Sequence, residues 1–149
     1  MTKSISALTA MITAVAFNVP ALAADSLKID LREWNVTLSA DTVAAGEVKV
    51  QVTNKGKEVH ELAFIRLKKE LVSGRLPVEG SGGINEDTMA PWGEIVGEIE
   101  DIAPKDKKKD VFTLKPGRYA VVCNVIEKED DGSIEAHYSM GMHAVLTVE

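Results

Sequence analysis

Strict alternation of apolar and polar side chains is the feature that most constrains how this chain can fold. Val48, Val50 and Val52 alternate with polar residues, and a turn signal follows at residues 54–56. Successive side chains on a strand point to opposite faces, so this pattern predicts a strand with one buried face. Further strand patterns occur at residues 59–67, 95–99, 109–114, 119–126 and 143–148. About seven or eight short strands separated by turns, with little helix, predict an all-β antiparallel sandwich or Greek-key barrel.

The first strand pattern changes phase near Glu33. Leu27, Ile29 and Leu31 are apolar at odd positions, whereas Trp34, Val36 and Leu38 are apolar at even positions. A β-bulge inserts one residue and shifts the alternation by one. We therefore expect one long strand with a bulge near Glu33.

The N-terminal 23 residues have the layout of a secretory signal peptide. Lys3 precedes a mostly apolar stretch at residues 5–19, and small residues follow up to Ala23. An uncleaved anchor is the alternative, but the apolar stretch is shorter than the roughly 20 residues that span a bilayer. We expect cleavage after Ala23 and a single domain at residues 24–149, located in the periplasm or secreted, with no membrane span after cleavage.

Charge and cysteine content exclude several classes of protein. Without Lys3, 16 of the 17 basic side chains remain against 23 acidic ones, which argues against nucleic acid or anionic membranes as main partners. The only cysteine, Cys123, cannot form an internal disulfide. The sequence contains no phosphate-binding glycine loop, HExxH motif or evident Ser/His/Asp arrangement, so we do not expect an enzyme.

A glycine- and proline-rich segment interrupts the strand patterns at residues 73–93. Turn-forming residues at this density indicate an extended loop rather than a boundary between domains.

Four residues with metal-binding side chains lie where strands of a sandwich begin or end: His60, Cys123, His137 and Met142. Such positions can converge at one pole of the fold. Two imidazoles and a thiolate with a weak axial thioether describe a blue-copper electron-transfer site. Zinc also accepts a His₂Cys set but gains little from a thioether, so the methionine favours copper. His143 competes with His137, and Met140 with Met142; we favour His137 and Met142.

Three stretches resemble the ligand-bearing segments of the cupredoxins, the plastocyanin and azurin family: VTNKGKEVHEL, LKPGRYAVVCNV and HYSMGM. The resemblance covers most of the mature chain in order. It implies a Greek-key β-sandwich with one type 1 copper ion near one pole. The equatorial ligands would be His60, Cys123 and His137, and the axial ligand would be Met142.

The chain departs from the familiar family pattern in two places. Thirteen residues, 124–136, separate Cys123 from His137, where familiar cupredoxins have only a few. A turn signal at Asp131 and Gly132 predicts that this insertion forms a small hairpin that returns the chain to the site. Glu61 follows His60 where many relatives have Asn, which leaves the hydrogen bonding of the thiolate unassigned.

The predicted function is an exported, monomeric electron carrier that cycles Cu(II) and Cu(I) between protein redox partners. A periplasmic copper carrier or storage protein with the same ligands is the alternative, because Met140 and His143 supply extra donors nearby. A third hypothesis is a metal-free β-sandwich that serves in adhesion or assembly. An acidic cluster at residues 127–135 either docks a basic partner or is a solvated hairpin face.

Overall fold

A computed structural model describes residues 25–68 and 75–149, so the predicted signal peptide lies outside the described residues. Eight strands in this part of the chain have four or more residues: β1 (Asp25–Arg32), β2 (Asn35–Leu38), β4 (Gly46–Asn54), β5 (His60–Leu67), β6 (Gly93–Ile102), β7 (Lys107–Leu114), β8 (Gly117–Val122) and β11 (His143–Val148). Three strands are shorter: β3 (Thr42–Val43), β9 (Ile126–Lys128) and β10 (Ile134–Ala136). A 3₁₀ turn at Glu86–Thr88 and a one-turn helix α1 at His137–Met140 complete the elements.

The strands form two main sheets. One sheet has the order β2-β1-β4-β7, the other has the order β3-β11-β8-β5-β6, and β9 and β10 form a separate hairpin. The predicted all-β Greek-key sandwich is confirmed. The prediction that all strands are antiparallel is wrong for two pairs, since β1 pairs with β4, and β3 with β11, in parallel.

The core between the sheets follows directly from the alternating sequence pattern. Val48, Val50 and Val52 on β4 are buried, whereas Lys49 is exposed. Their apolar side chains belong to a cluster that also contains Phe64 from the other sheet. Removal of this apolar surface from water is the main force that holds the two sheets together.

The predicted long strand with a bulge near Glu33 is wrong. The chain reverses at Glu33 and Trp34, and β1 pairs with β2 as an antiparallel hairpin in which Leu31 lies opposite Val36. Residues that face each other across such a pair point to the same side of the sheet. A reversal through two residues therefore shifts the apolar phase from odd to even, as a bulge does.

The described part of the glycine-rich segment, from residue 75 onward, is a loop that covers the outer face of the second sheet. Ile65 of β5 packs in a second apolar cluster with Leu76, Ile84 and Met89 from the loop. This cover explains why β5 is apolar on both faces. Within the described ranges, no helix has the length and apolar character needed to cross a membrane.

Candidate metal centre

The four predicted ligand residues come from four points of the chain that meet at one end of the sandwich. His60 is the first residue of β5, Cys123 follows β8, His137 begins α1, and Met142 precedes β11. All four side chains are 0% exposed. The predicted convergence of the three donor residues His60, Cys123 and His137 is observed, because their donor atoms lie within 4.8 Å of one another.

The imidazole nitrogens and the sulfur form a compact triangle. His60 Nδ1 lies 3.2 Å from His137 Nδ1, and Cys123 Sγ lies 3.8 Å from His60 Nδ1 and 3.4 Å from His137 Nδ1. A point in the plane of these atoms is about 2 Å from all three, close to the usual metal–nitrogen distance of ~2.0–2.1 Å and slightly short of a metal–sulfur distance of ~2.3 Å. The three side chains are therefore spaced to bind a single metal ion.

Met142 is tied to this triangle through its backbone. The Cys123 N–H donates to the Met142 carbonyl at 3.0 Å, and the Met142 N–H donates to the His137 carbonyl at 3.0 Å. Gly141, between the helical turn and Met142, has φ +126°, and a Cβ there would lie 2.9 Å from the Trp34 carbonyl oxygen. Only glycine suits this position, which fixes the course of the chain from His137 to Met142.

The competing residues His143 and Met140 have different surroundings. His143 Nε2 accepts a hydrogen bond from Arg75 Nε at 3.1 Å, and its ring packs on Tyr138. The Met140 side chain is 44% exposed. Neither residue shares the buried position of the three donors.

A backbone N–H group donates to the sulfur of Cys123. The Glu61 N–H lies 3.4 Å from Sγ. Burial raises the pKa of the Cys123 thiol to about 11, and the backbone N–H groups of Glu61 and Val125 oppose that rise because they stabilise the thiolate. The hydrogen bond left unassigned by the sequence is therefore made by the backbone of Glu61. Its carboxylate instead accepts the Asn124 N–H at 3.0 Å.

The outer nitrogens of both imidazoles are buried beside carboxylates. Within the described part of the chain, neither His60 Nε2 nor His137 Nε2 makes a hydrogen bond, yet Nε2 of His60 is 3.4 Å from Glu33 Oε1 and Nε2 of His137 is 3.8 Å from Glu135 Oε1. Burial lowers the pKa of both histidines, which favours the neutral imidazole that binds metals.

The insertion between Cys123 and His137 forms the predicted hairpin. Strands β9 and β10 pair with Glu127 opposite Glu135, and the His137 N–H donates to the Val125 carbonyl at 3.0 Å. The insertion thus returns the chain to the triangle, as expected from its turn signal. Glu127, Glu135 and His137 form a second group whose ligand atoms lie within 4.8 Å of one another.

Sequence reasoning missed Glu33 and Trp34 as neighbours of the centre. The Trp34 ring meets the His137 ring edge-on, with centroids 5.0 Å apart. The signal that could have indicated them was the change of phase in the apolar alternation, which occurs at these two residues.

No protein-family model matches this sequence, and no curated protein matches it either. Several solved structures do match. The auracyanin of the photosynthetic bacterium Roseiflexus castenholzii is 18% identical, with 85% of this chain and 98% of that one covered and a TM-score of 0.51. Auracyanin A, a "blue" copper protein from the green thermophilic photosynthetic bacterium Chloroflexus aurantiacus, is 16% identical, with 85% and 100% covered and a TM-score of 0.53. Rusticyanin from Thiobacillus ferrooxidans is 14% identical, with 85% and 79% covered and a TM-score of 0.53.

These neighbours are cupredoxins with a β-sandwich fold. This chain has the cupredoxin fold. In this cupredoxin fold, the start of β5, the end of β8 and the start of β11 lie at one pole, where the buried triangle is found.

Proposed function

We propose that this protein is an exported type 1 copper protein that carries single electrons between protein partners by Cu(II)/Cu(I) cycling. His60, Cys123 and His137 would hold the ion as equatorial ligands, and Met142 would be the axial ligand. The observation that carries the proposal is the buried triangle of two Nδ1 atoms and one Sγ atom, with separations of 3.2 to 3.8 Å.

The donor set suits copper in both oxidation states. A thiolate and a thioether are soft donors that favour Cu(I), and imidazoles also bind Cu(II), so the bound ion supplies a one-electron redox centre. Zinc prefers a closed tetrahedral set of strong ligands and gains little from a buried thioether. Met142 is 0% exposed and its backbone is hydrogen-bonded to Cys123 and His137, so its thioether is the donor that would favour copper.

The protein's own contribution is to hold the donors still and exclude water. Each donor is buried and attached to a strand end or to the glycine turn at Gly141. A site whose ligands do not move between oxidation states requires little rearrangement when an electron arrives or leaves. Auracyanin A, which shares the fold, is itself a blue copper protein.

Partners and location follow from the sequence. We infer that residues 1–23 direct export, that Ala24 begins a monomeric mature protein, and that the carrier works in the periplasm or outside the cell. The β9–β10 hairpin, which leads into His137, carries five carboxylates: Glu127, Glu129, Asp130, Asp131 and Glu135. Complementary charge accelerates the encounter of redox partners, so we infer a basic docking surface on the partner.

One observation favours copper transport or storage as the second candidate. Met140 is 44% exposed and lies two residues before the buried Met142. An exposed thioether close to a buried metal site is a soft donor that can receive Cu(I) from solution.

The visible and electron paramagnetic resonance spectra of the chain from Ala24 to Glu149, loaded with one equivalent of Cu(II), test the proposal. We expect an intense thiolate-to-copper absorption and the small copper hyperfine splitting of a type 1 site. A colourless protein that binds only Cu(I) would support transport or storage instead. Absence of copper binding would refute both functions.

The axial ligand is tested by two methionine variants. We expect Met142→Gln to retain copper and lower its reduction potential, because an amide oxygen stabilises Cu(II) more than a thioether does. Met140→Gln is the matched control and should change the potential little. Voltammetry that gave the opposite order would assign the axial role to Met140.

A further inference from the structure

The carboxylate of Glu33 is held against the loop that leads to His60. Its Oε1 accepts the Lys57 N–H at 2.6 Å and the Glu58 N–H at 3.0 Å. A Cβ on Gly56 would overlap this carboxylate, so the absence of a side chain at Gly56 makes room for it. Glu33 thus connects the β1–β2 turn to the segment just before β5.

The same oxygen lies next to the outer nitrogen of His60. Glu33 Oε1 is 3.4 Å from Nε2, slightly longer than a well-formed hydrogen bond, and Nε2 is buried with no hydrogen-bond partner among the residues that the structure describes. The other ring nitrogen, Nδ1, faces His137 and Cys123. A neutral imidazole carries one proton, so Nδ1 can bind a metal only if that proton is on Nε2.

We propose that Glu33 is a positioning residue that accepts the Nε2–H of His60 and thereby holds the imidazole in the tautomer whose Nδ1 lone pair faces Cys123 and His137. This role rests on the proposed copper function for its purpose, but it is a property of the protein before any metal binds. Carboxylates that accept the second N–H of a ligand histidine fix the ring's orientation and strengthen it as a donor.

Two backbone N–H groups, of Lys57 and Glu58, donate to the Oε1 atom of Glu33 that faces His60. The carboxylate cannot easily turn away, since the two backbone donors fix the oxygen that faces Nε2.

The same arrangement also determines which of the two histidines donates in the contact between their Nδ1 atoms. The Nδ1 atoms of His60 and His137 are 3.2 Å apart, a distance that allows a hydrogen bond only when one of them carries a proton. If Glu33 keeps the His60 proton on Nε2, then His137 is the donor in the metal-free protein. Its own carboxylate neighbour, Glu135, is farther away at 3.8 Å and so holds the ring less firmly.

The metal-free experiment is nitrogen NMR of ¹⁵N-histidine-labelled protein, which reports the tautomer of each ring. We expect His60 to carry its proton on Nε2. In Glu33→Ala, the Nδ1–H form of His60 should become populated, whereas Glu33→Gln, which keeps an acceptor oxygen, should resemble the wild type. Glu58→Ala is the matched control, because it removes a nearby charge while its backbone N–H remains.

A wild-type His60 with its proton on Nδ1 would overturn the proposal, as would an unchanged tautomer in Glu33→Ala. If Glu33→Gln behaved like Glu33→Ala, the negative charge of Glu33 and not a hydrogen bond would account for the tautomer of His60. That result would also overturn the proposal. Thermal unfolding of each variant checks that the fold is retained.

Copper affinity supplies the second readout. We expect Glu33→Ala to weaken Cu(II) binding by about 10- to 100-fold, as is usual when the outer partner of a ligand histidine is removed, and Glu33→Gln to recover part of the loss. Equal affinities in the wild type and Glu33→Ala would overturn the positioning role. If the wild type bound no copper, the proposed function would fail, while the tautomer of His60 would still decide the role of Glu33.

Discussion

Replacement of Cys123 by serine is expected to abolish the intense blue absorption of the copper-loaded protein. That band arises from charge transfer from a thiolate to Cu(II), and a serine hydroxyl supplies neither the sulfur nor, near neutral pH, an anionic donor. Affinity for Cu(I) should fall more steeply than affinity for Cu(II), because the soft ligand is lost while both imidazoles remain. Absorption and electron paramagnetic resonance spectra of Cys123→Ser beside the wild type measure both effects.

The fold should survive this change, because serine is close to cysteine in size and the Glu61 N–H remains available as a partner for the hydroxyl. Val122→Thr is a matched control: it places a hydroxyl at the neighbouring 0% exposed position, and its side chain belongs to the other apolar cluster. The control should remain blue. A serine variant that kept the intense band would remove Cys123 from the centre and with it the type 1 assignment.

The strands could be predicted from sequence where one face of the strand is buried and the other is exposed to solvent. β4 shows this most clearly, since the valines at alternate positions all pack between the sheets. The β1–β2 region could not be resolved, because a two-residue turn and a bulge shift the apolar phase in the same way. Only the pairing of Leu31 with Val36 distinguishes them.

The grouping of His60, Cys123 and His137 could be predicted because thiol and imidazole side chains are rare in this sequence, and the donor atoms of these three residues lie within 4.8 Å of one another. Their positions at strand ends indicated a common pole, and the turn signal at Gly132 indicated the hairpin that returns the chain to His137. Glu33 could not be predicted. It lies in the turn between two strands of the sheet opposite His60 and reaches the imidazole because this β1–β2 turn packs on the loop after β4.

Asn54 is expected to be the side chain whose loss most destabilises this pole. It ends β4, is 0% exposed, and its Nδ2 donates to the carbonyls of Glu58 at 2.7 Å and Ile102 at 2.8 Å. Its Oδ1 accepts the Gly56 N–H at 2.8 Å. One amide therefore connects the first sheet, the end of β6 in the second sheet and the loop that carries His60.

Asn54→Leu keeps the approximate volume but leaves three backbone groups without these partners. At about 1–3 kcal/mol for each buried group, partly offset by relaxation, we expect the free energy of unfolding to fall by about 3–5 kcal/mol. For a domain of this size that loss lowers the midpoint of thermal unfolding by roughly 10–20 °C. Calorimetry of the metal-free protein measures it, and copper affinity should fall as well because the loop before His60 loosens.

Asn35→Ala is the matched control for this loss. Asn35 also carries an amide on the first sheet, but its side chain is exposed and donates to an exposed acceptor, Thr37 Oγ1, at 2.7 Å. An exposed bond of this kind contributes little, so the control should change the free energy of unfolding by less than about 0.5 kcal/mol. If Asn54→Leu proved as mild as Asn35→Ala, the amide would not hold the sheets together at this pole, and the position of His60 would depend on Glu33 and the pairing of β5 alone.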